Sequence, residues 1–184
     1  MTNGTPSDVS EAAPVYVAWE PGPRDLERLE TWVRLAGEAH AEFVWTPNES
    51  ISAARVRKPH KEWTVALVTT AGVHPRDQLP FDVLSPTGDP SFREISRDTP
   101  SDAFCVSDTH FDTSDAEADI NCLFPIDRLR ELERDGAIGR VSPLHVGFMG
   151  FAPNPRRDGW LNAAAAAVAL LRREDVDVAL LTPG

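Results

Sequence analysis

The segment Thr64-Val-Ala-Leu-Val-Thr-Thr70 is a continuous β-branched and aliphatic run closed by Ala71-Gly72. It is too short for a helix of ordinary length. It also lacks the apolar–polar alternation of a strand with one wet face. An apolar run of this length bounded by a glycine is a strand buried on both faces, and such strands belong to parallel sheets covered by helices. Helical patterns flank it. Upstream, Leu26, Leu29, Val33 and Ala36 recur at helical spacing from Arg24 onward, with charges between them. Downstream, Ile126, Leu129 and Leu132 make one apolar face of a helix that stops at Asp135-Gly136. Leu161, Ala164, Val168 and Leu171 make another, closed by Arg172-Arg173 against its negative end. Further strands are expected near residues 14–18, 104–107 and 176–181, and at 144–148. Strands alternating with helices imply βαβ units and a parallel sheet flanked by helices, an α/β fold.

At 184 residues the chain has the length of one domain. Residues 1–13 are polar and read as a flexible tail, with a single α/β domain over 14–184. Eighteen Lys and Arg against 29 Asp and Glu give a net charge of −11, which argues against nucleic acid or an anionic membrane as partner. No apolar run approaches a membrane span, and the N-terminus carries neither the basic nor the apolar region of a secretory signal. Two cysteines, Cys105 and Cys122, make no disulfide framework, so a cytoplasmic location is the default. Each lies beside an apolar stretch and reads as a small buried hydrophobe rather than a reactive thiol.

Chemistry-bearing residues gather after the strands. In open α/β sheets ligands bind at the carboxyl ends of strands. His74 and His110 each follow a strand, and His145 precedes Gly147-Phe-Met-Gly150. Around His110 the chain reads Asp108-Thr-His-Phe-Asp112, with Asp115 and Asp119 following. Histidine with carboxylates suits acid–base work or a divalent metal held by His74, His110 and His145, and equally suits loop residues that fasten turns. The spacing matches no standard zinc pattern. Asp112, two residues from His110 on an extended loop, is placed to orient it. The Pro-, Asp- and Gly-rich excursion over 75–103 contains Arg93, whose guanidinium fork suits a carboxylate ligand or a neighbouring loop carboxylate. No phosphate-binding glycine motif is present, so no nucleotide cofactor is expected.

Several segments together resemble one family. They include Val65-Ala-Leu-Val-Thr-Thr-Ala-Gly-Val-His74, Gly88-Asp-Pro-Ser-Phe-Arg-Glu-Ile95, Thr109-His-Phe-Asp112, Asp119-Ile-Asn-Cys-Leu-Phe-Pro-Ile126, Ile138-Gly-Arg-Val-Ser-Pro-Leu-His145 and Asp175-Val-Asp-Val-Ala-Leu-Leu-Thr-Pro-Gly184. From about residue 45 onward these are similar to the selenoprotein B family of glycine, sarcosine, betaine and D-proline reductases, in the D-proline reductase type. The resemblance implies a Rossmann-like half of a selenoprotein B-type reductase. It also implies reductive cleavage of a carbon–nitrogen bond in a small amino-acid-like or carboxylate substrate.

In that family a selenocysteine or cysteine motif comes immediately after the segment matched by Leu180-Leu-Thr-Pro-Gly184. Residues 1–184 hold no such motif, so the redox nucleophile is expected from a partner chain, and the chain alone is expected not to reduce glycine, betaine or D-proline. Two other readings stay open. One is a stand-alone His and carboxylate site, with or without a metal, doing non-redox chemistry. The other is a non-catalytic binding subunit. An open half-sheet leaves edges to cover, so a homodimer or a complex with a redox-active partner protein is expected.

Overall fold

The computed structural model describes residues 22–39, 54–109, 111–154 and 158–183. Two compact units, 1–41 and 42–184, divide the chain. In the first, helix α1 (Pro23–Ala39) fulfils the helical spacing seen there and leaves Leu26, Val33 and Leu35 exposed. The tail over 1–13 and the strand expected at 14–18 lie outside the described residues.

The second unit is built on the apolar run. Strand β1 (Thr64–Thr69) has five of its six residues buried. β2 (Val73–Pro75) follows after a turn, then β3 (Phe92–Ser96) and β4 (Phe104–Val106). Next come the short helix α2 (Ser114–Ala118) and α3 (Ile126–Arg134), β5 (Arg140–Val141) and β6 (Leu144–Phe148). The chain finishes with α4 (Asp158–Arg173) and β7 (Val178–Thr182). β1 is the centre of the main sheet. β7 runs parallel to it on one side, in register from Val65↔Val178 to Thr69↔Thr182. β5 and β6 run parallel to it in succession on the other. β3 closes that side antiparallel to β6. The sheet is therefore mostly parallel and flanked by helices, as an α/β fold requires, with one antiparallel edge. A separate ribbon pairs β2 with β4.

β5 and β6 form one interrupted strand. Val65 faces Val141 and Val68 faces Val146, so the register advances three residues on β1 and five on its neighbour. The two extra residues sit around Ser142-Pro143, where proline has no N–H to give the ladder. One face of the sheet carries Val65, Leu67 and Val141 and packs on Ile120, Phe124, Ile126 and Leu129. The other carries Val68, Val146 and Phe148 and packs on Ala167, Leu170 and Leu171 of α4. α3 ends where the sequence placed its stop, with Gly136 at φ +69°. Leu132, however, is 42% exposed, because the helix buries only Ile126 and Leu129. Arg97 ties this helix to the sheet by a fork on Glu133, at 2.6 and 3.1 Å, and a bond to the Val141 carbonyl.

Gly147 marks where β2 crosses the sheet. A Cβ there would lie 2.2 Å from the carbonyl oxygen of Val73, so no larger residue fits without moving that backbone. This close approach lays His74 against the carboxyl end of the sheet.

Candidate functional site

β2 and β4 pair antiparallel with His74 opposite Cys105. The His74 ring is 1% exposed and meets Phe81 edge-on, with centroids 5.8 Å apart. Its Nδ1 lies 2.8 Å from the Pro75 carbonyl oxygen, which can only accept, so Nδ1 carries the proton. Nε2 is then the lone-pair nitrogen, and the Ser107 hydroxyl, 2.8 Å away, donates to it. A hydroxyl bonded to an imidazole that is itself oriented by a carbonyl is an arrangement through which a proton can move at the hydroxyl oxygen.

Cys105 Sγ is 3.5 Å from Nδ1 and 3.4 Å from Nε2 of the same ring. An in-plane approach at equal distances would drive the sulfur onto Cε1, so Cys105 rests on the ring face. The Nε2 lone pair, occupied by the Ser107 hydroxyl, is not aimed at the thiol proton. Burial pushes the Cys105 thiol up, only partly offset by the positive charge of Arg76. It is a poor nucleophile as it stands. Cys122 is exposed, against the sequence expectation of burial. Its apolar neighbours Phe124 and Ile126 take the core positions instead.

Cys105 opens onto a cavity of about 780 Å³ lined by Arg76, Asp102, Glu117, Asn121 and Asp127 among others. Most of the polar groups in its wall are engaged. Asp127 accepts from Asn121 and Arg130, at 3.0 and 2.8 Å, and from the Ser101 hydroxyl, and these bonds hold its carboxyl below the usual range. Glu117 accepts from the Thr113 hydroxyl at 3.2 Å. Arg76 differs. Its Nε donates to the Asp102 carbonyl at 3.4 Å, and its terminal nitrogens have no bond to any of the described residues.

The other residues singled out in the sequence are placed as follows. His110 lies outside the described residues. Asp112 is exposed and accepts the Ser114 N–H at 3.0 Å, fastening the start of α2, which lowers its carboxyl pKa. Arg93 is spent on the loop around it. It donates to the carbonyls of Leu79 and Pro80, at 2.7 and 3.0 Å, and to the Ser91 hydroxyl at 2.8 Å. Its guanidinium also lies 4.2 Å over the Phe81 ring.

His145 is fully buried against Phe124, on the sheet face opposite α4. Its Nδ1 accepts the N–H of Leu67 at 2.9 Å, in the middle of β1 beside the β5–β6 break. Burial, reinforced by the positive charges of Arg130 and Arg97, depresses its pKa to about 3. Its Nε2 is buried without a hydrogen-bond partner. No hydrogen bond or ring contact joins it to His74. Among the described residues no group of three or more His, Cys, Asp or Glu is arranged to hold a metal ion.

The structure thus brings together His74, Ser107, Cys105 and Arg76. Arg76 follows His74 by two residues and was open to a parity argument. Ser107 lies 33 residues from His74 and had no signal in the sequence.

A family model for glycine/sarcosine/betaine reductase selenoprotein B matches residues 32–183. The chain is 39% identical over 141 residues to D-proline reductase subunit gamma of Acetoanaerobium sticklandii, covering 77% of this chain and 53% of that protein. It is 30% identical over 122 residues to glycine reductase complex component B subunit gamma of Carboxydothermus hydrogenoformans, covering 65% of this chain and 27% of that one. The chain therefore spans about half of the first relative and about a quarter of the second. No solved structure matches it.

Proposed function

The chain belongs to the glycine/sarcosine/betaine reductase selenoprotein B family, and from that premise we propose that it is the scaffold part of a reductase acting on a small amino-acid-like carboxylate. The redox thiol or selenol comes from outside these 184 residues. The names of the two gamma-subunit relatives support the reaction class, reductive opening of a carbon–nitrogen bond in a substrate such as D-proline or glycine, within a multi-subunit complex.

The observation that carries the division of labour is the state of Cys105. The thiol lies on a histidine face, out of line with both nitrogens, and burial raises its pKa. Covalent attack needs a thiolate, with its pKa lowered or a base in line with its proton. The scaffold supplies the surroundings instead. Arg76 anchors the substrate carboxylate by its terminal nitrogens, a bidentate role that guanidinium performs well. Ser107, whose proton is committed to Nε2 of His74, offers its oxygen as an acceptor for an N–H of the substrate. His110 and Asp112, which follow β4 in the sequence, contribute with them. Arg93 and His145 act as supports, one for the loop over 79–91 and one for the sheet.

The test is reconstitution of the chain with its reductase complex, followed by substrate-dependent oxidation of a dithiol. Cys105→Ala and Cys122→Ala should retain activity. Arg76→Met should raise KM for a carboxylate substrate at least tenfold with a smaller effect on kcat. Activity that disappears in Cys105→Ala would make that thiol the nucleophile and overturn the reading.

A further inference from the structure

β7 is the outermost strand beside β1, and among the described residues it pairs with nothing else. The Thr182 carbonyl accepts the Thr70 N–H, so by the two-residue alternation of a ladder Ala179 and Leu181 turn their N–H and C=O groups away from β1. The side chains are equally unpartnered. Register places Leu180 beside Leu67, on the face packed by α3, and Leu181 beside Val68, on the face packed by α4. Both are uncovered, Leu180 at 42% and Leu181 at 72% exposure. A parallel strand is ordinarily buried on both faces, and a bare apolar edge is a template for another strand.

We infer that the outer edge of β7 is a docking edge for a further parallel strand with its flanking helices, brought by the portion that makes up the unmatched half of the D-proline reductase subunit gamma. Two observations select this occupant over a second copy of the chain. The D-proline reductase subunit gamma is about twice as long as the part this chain matches, so family members carry the material to supply such a segment. A second copy, meeting β7 across a two-fold axis, would extend the sheet antiparallel with both α4 helices on one face. Leu180 would stay bare on the other. A strand with a crossover helix on each side covers Leu180 and Leu181 together. The inference rests on the family membership, and its readouts are mass and backbone protection, so it can fail while the proposed activity stands.

The experiment co-expresses residues 1–184 with the unmatched portion of the Acetoanaerobium sticklandii subunit. It measures the mass of the purified species and the amide exchange of β7 with and without that portion. A one-to-one complex is expected, with exchange at Ala179 and Leu181 slowed at least tenfold. Ala179→Pro removes an outward N–H that β1 does not use, and Leu181→Lys puts a charge on the bare apolar edge; each should abolish the complex while the chain keeps its far-ultraviolet circular dichroism. Failure of the two portions to associate would overturn the inference. So would association that survives both substitutions, or a homodimer that protects β7.

Discussion

Replacing His145 by asparagine should remove a defined part of the acid sensitivity of this fold. Asparagine Oδ1 takes the place of imidazole Nδ1, so the Leu67 N–H keeps an acceptor while the titrating group disappears. The imidazole has a pKa of about 3 in the folded chain, against an ordinary value of 6.5. Between these values the unfolded chain binds a proton that the folded chain refuses, so stability from this group is present above pH 6.5 and is lost as pH falls towards 3. At ~1.36 kcal/mol per pKa unit the full effect is on the order of 5 kcal/mol, and between pH 7 and pH 5 it is about 2 kcal/mol. Asp89, Asp127, Glu133 and Asp177 also have lowered pKa values. Their unfolded values lie below this window, and they are common to both proteins, so they cancel in the difference. Urea unfolding of the wild type and His145→Asn at pH 7 and pH 5 measures it. The variant should be weaker at pH 7 by roughly 1–3 kcal/mol, because the smaller side chain leaves space against Phe124. Its further loss on going to pH 5 should be smaller than the wild type's by about 2 kcal/mol. Equal losses in the two proteins would refute the reasoning, since the imidazole would then be open to protons in the folded state.

Gly147→Ala should destabilise the chain by roughly 1–3 kcal/mol in the same unfolding assay, because the new Cβ would meet the Val73 carbonyl at 2.2 Å. Arg93→Ala should speed limited proteolysis within residues 79–91, by freeing the carbonyls of Leu79 and Pro80, and leave KM in the reconstituted reductase within twofold. A tenfold rise in KM without faster cleavage would return Arg93 to the substrate.

The elements legible in the sequence were those whose own pattern decides them. β1 was readable because its residues are apolar whichever face they take, and α3 and α4 because their apolar residues recur at helical spacing. β3 was hidden in the long excursion. Its two apolar residues, Phe92 and Ile95, are three apart and show no strand alternation, and the strand exists because β6 lies antiparallel beside it. The site was partly legible for the same kind of reason. His74 could be placed at a strand, but its hydroxyl partner arrives through the pairing of β2 with β4, which no spacing encodes. Arg93 suits a ligand or a loop carboxylate equally by sequence; Asp89 lies 3.8 Å from its guanidinium, and the backbone carbonyls that also hold it leave no trace in composition. His145 reads from the sequence only as a histidine ahead of Gly147-Phe-Met-Gly150. The break in the strand that it serves is made by Ser142-Pro143, three residues before it at most.

The surplus at that break is even, and this sets how the chain can change length there. Val65 and Val141 share one face, and Val68 and Val146 share the other, because two extra residues restore the alternation that one would invert. Losing or gaining a single residue between Val141 and Val146 would send His145 and Gly147 to the helix α4 side, and Val146 and Phe148 to the opposite side. A change of two residues would leave every side chain on its own face. Chains built on this sheet should therefore differ in length at this point in steps of two, and a one-residue difference should come with a compensating one before β6 ends.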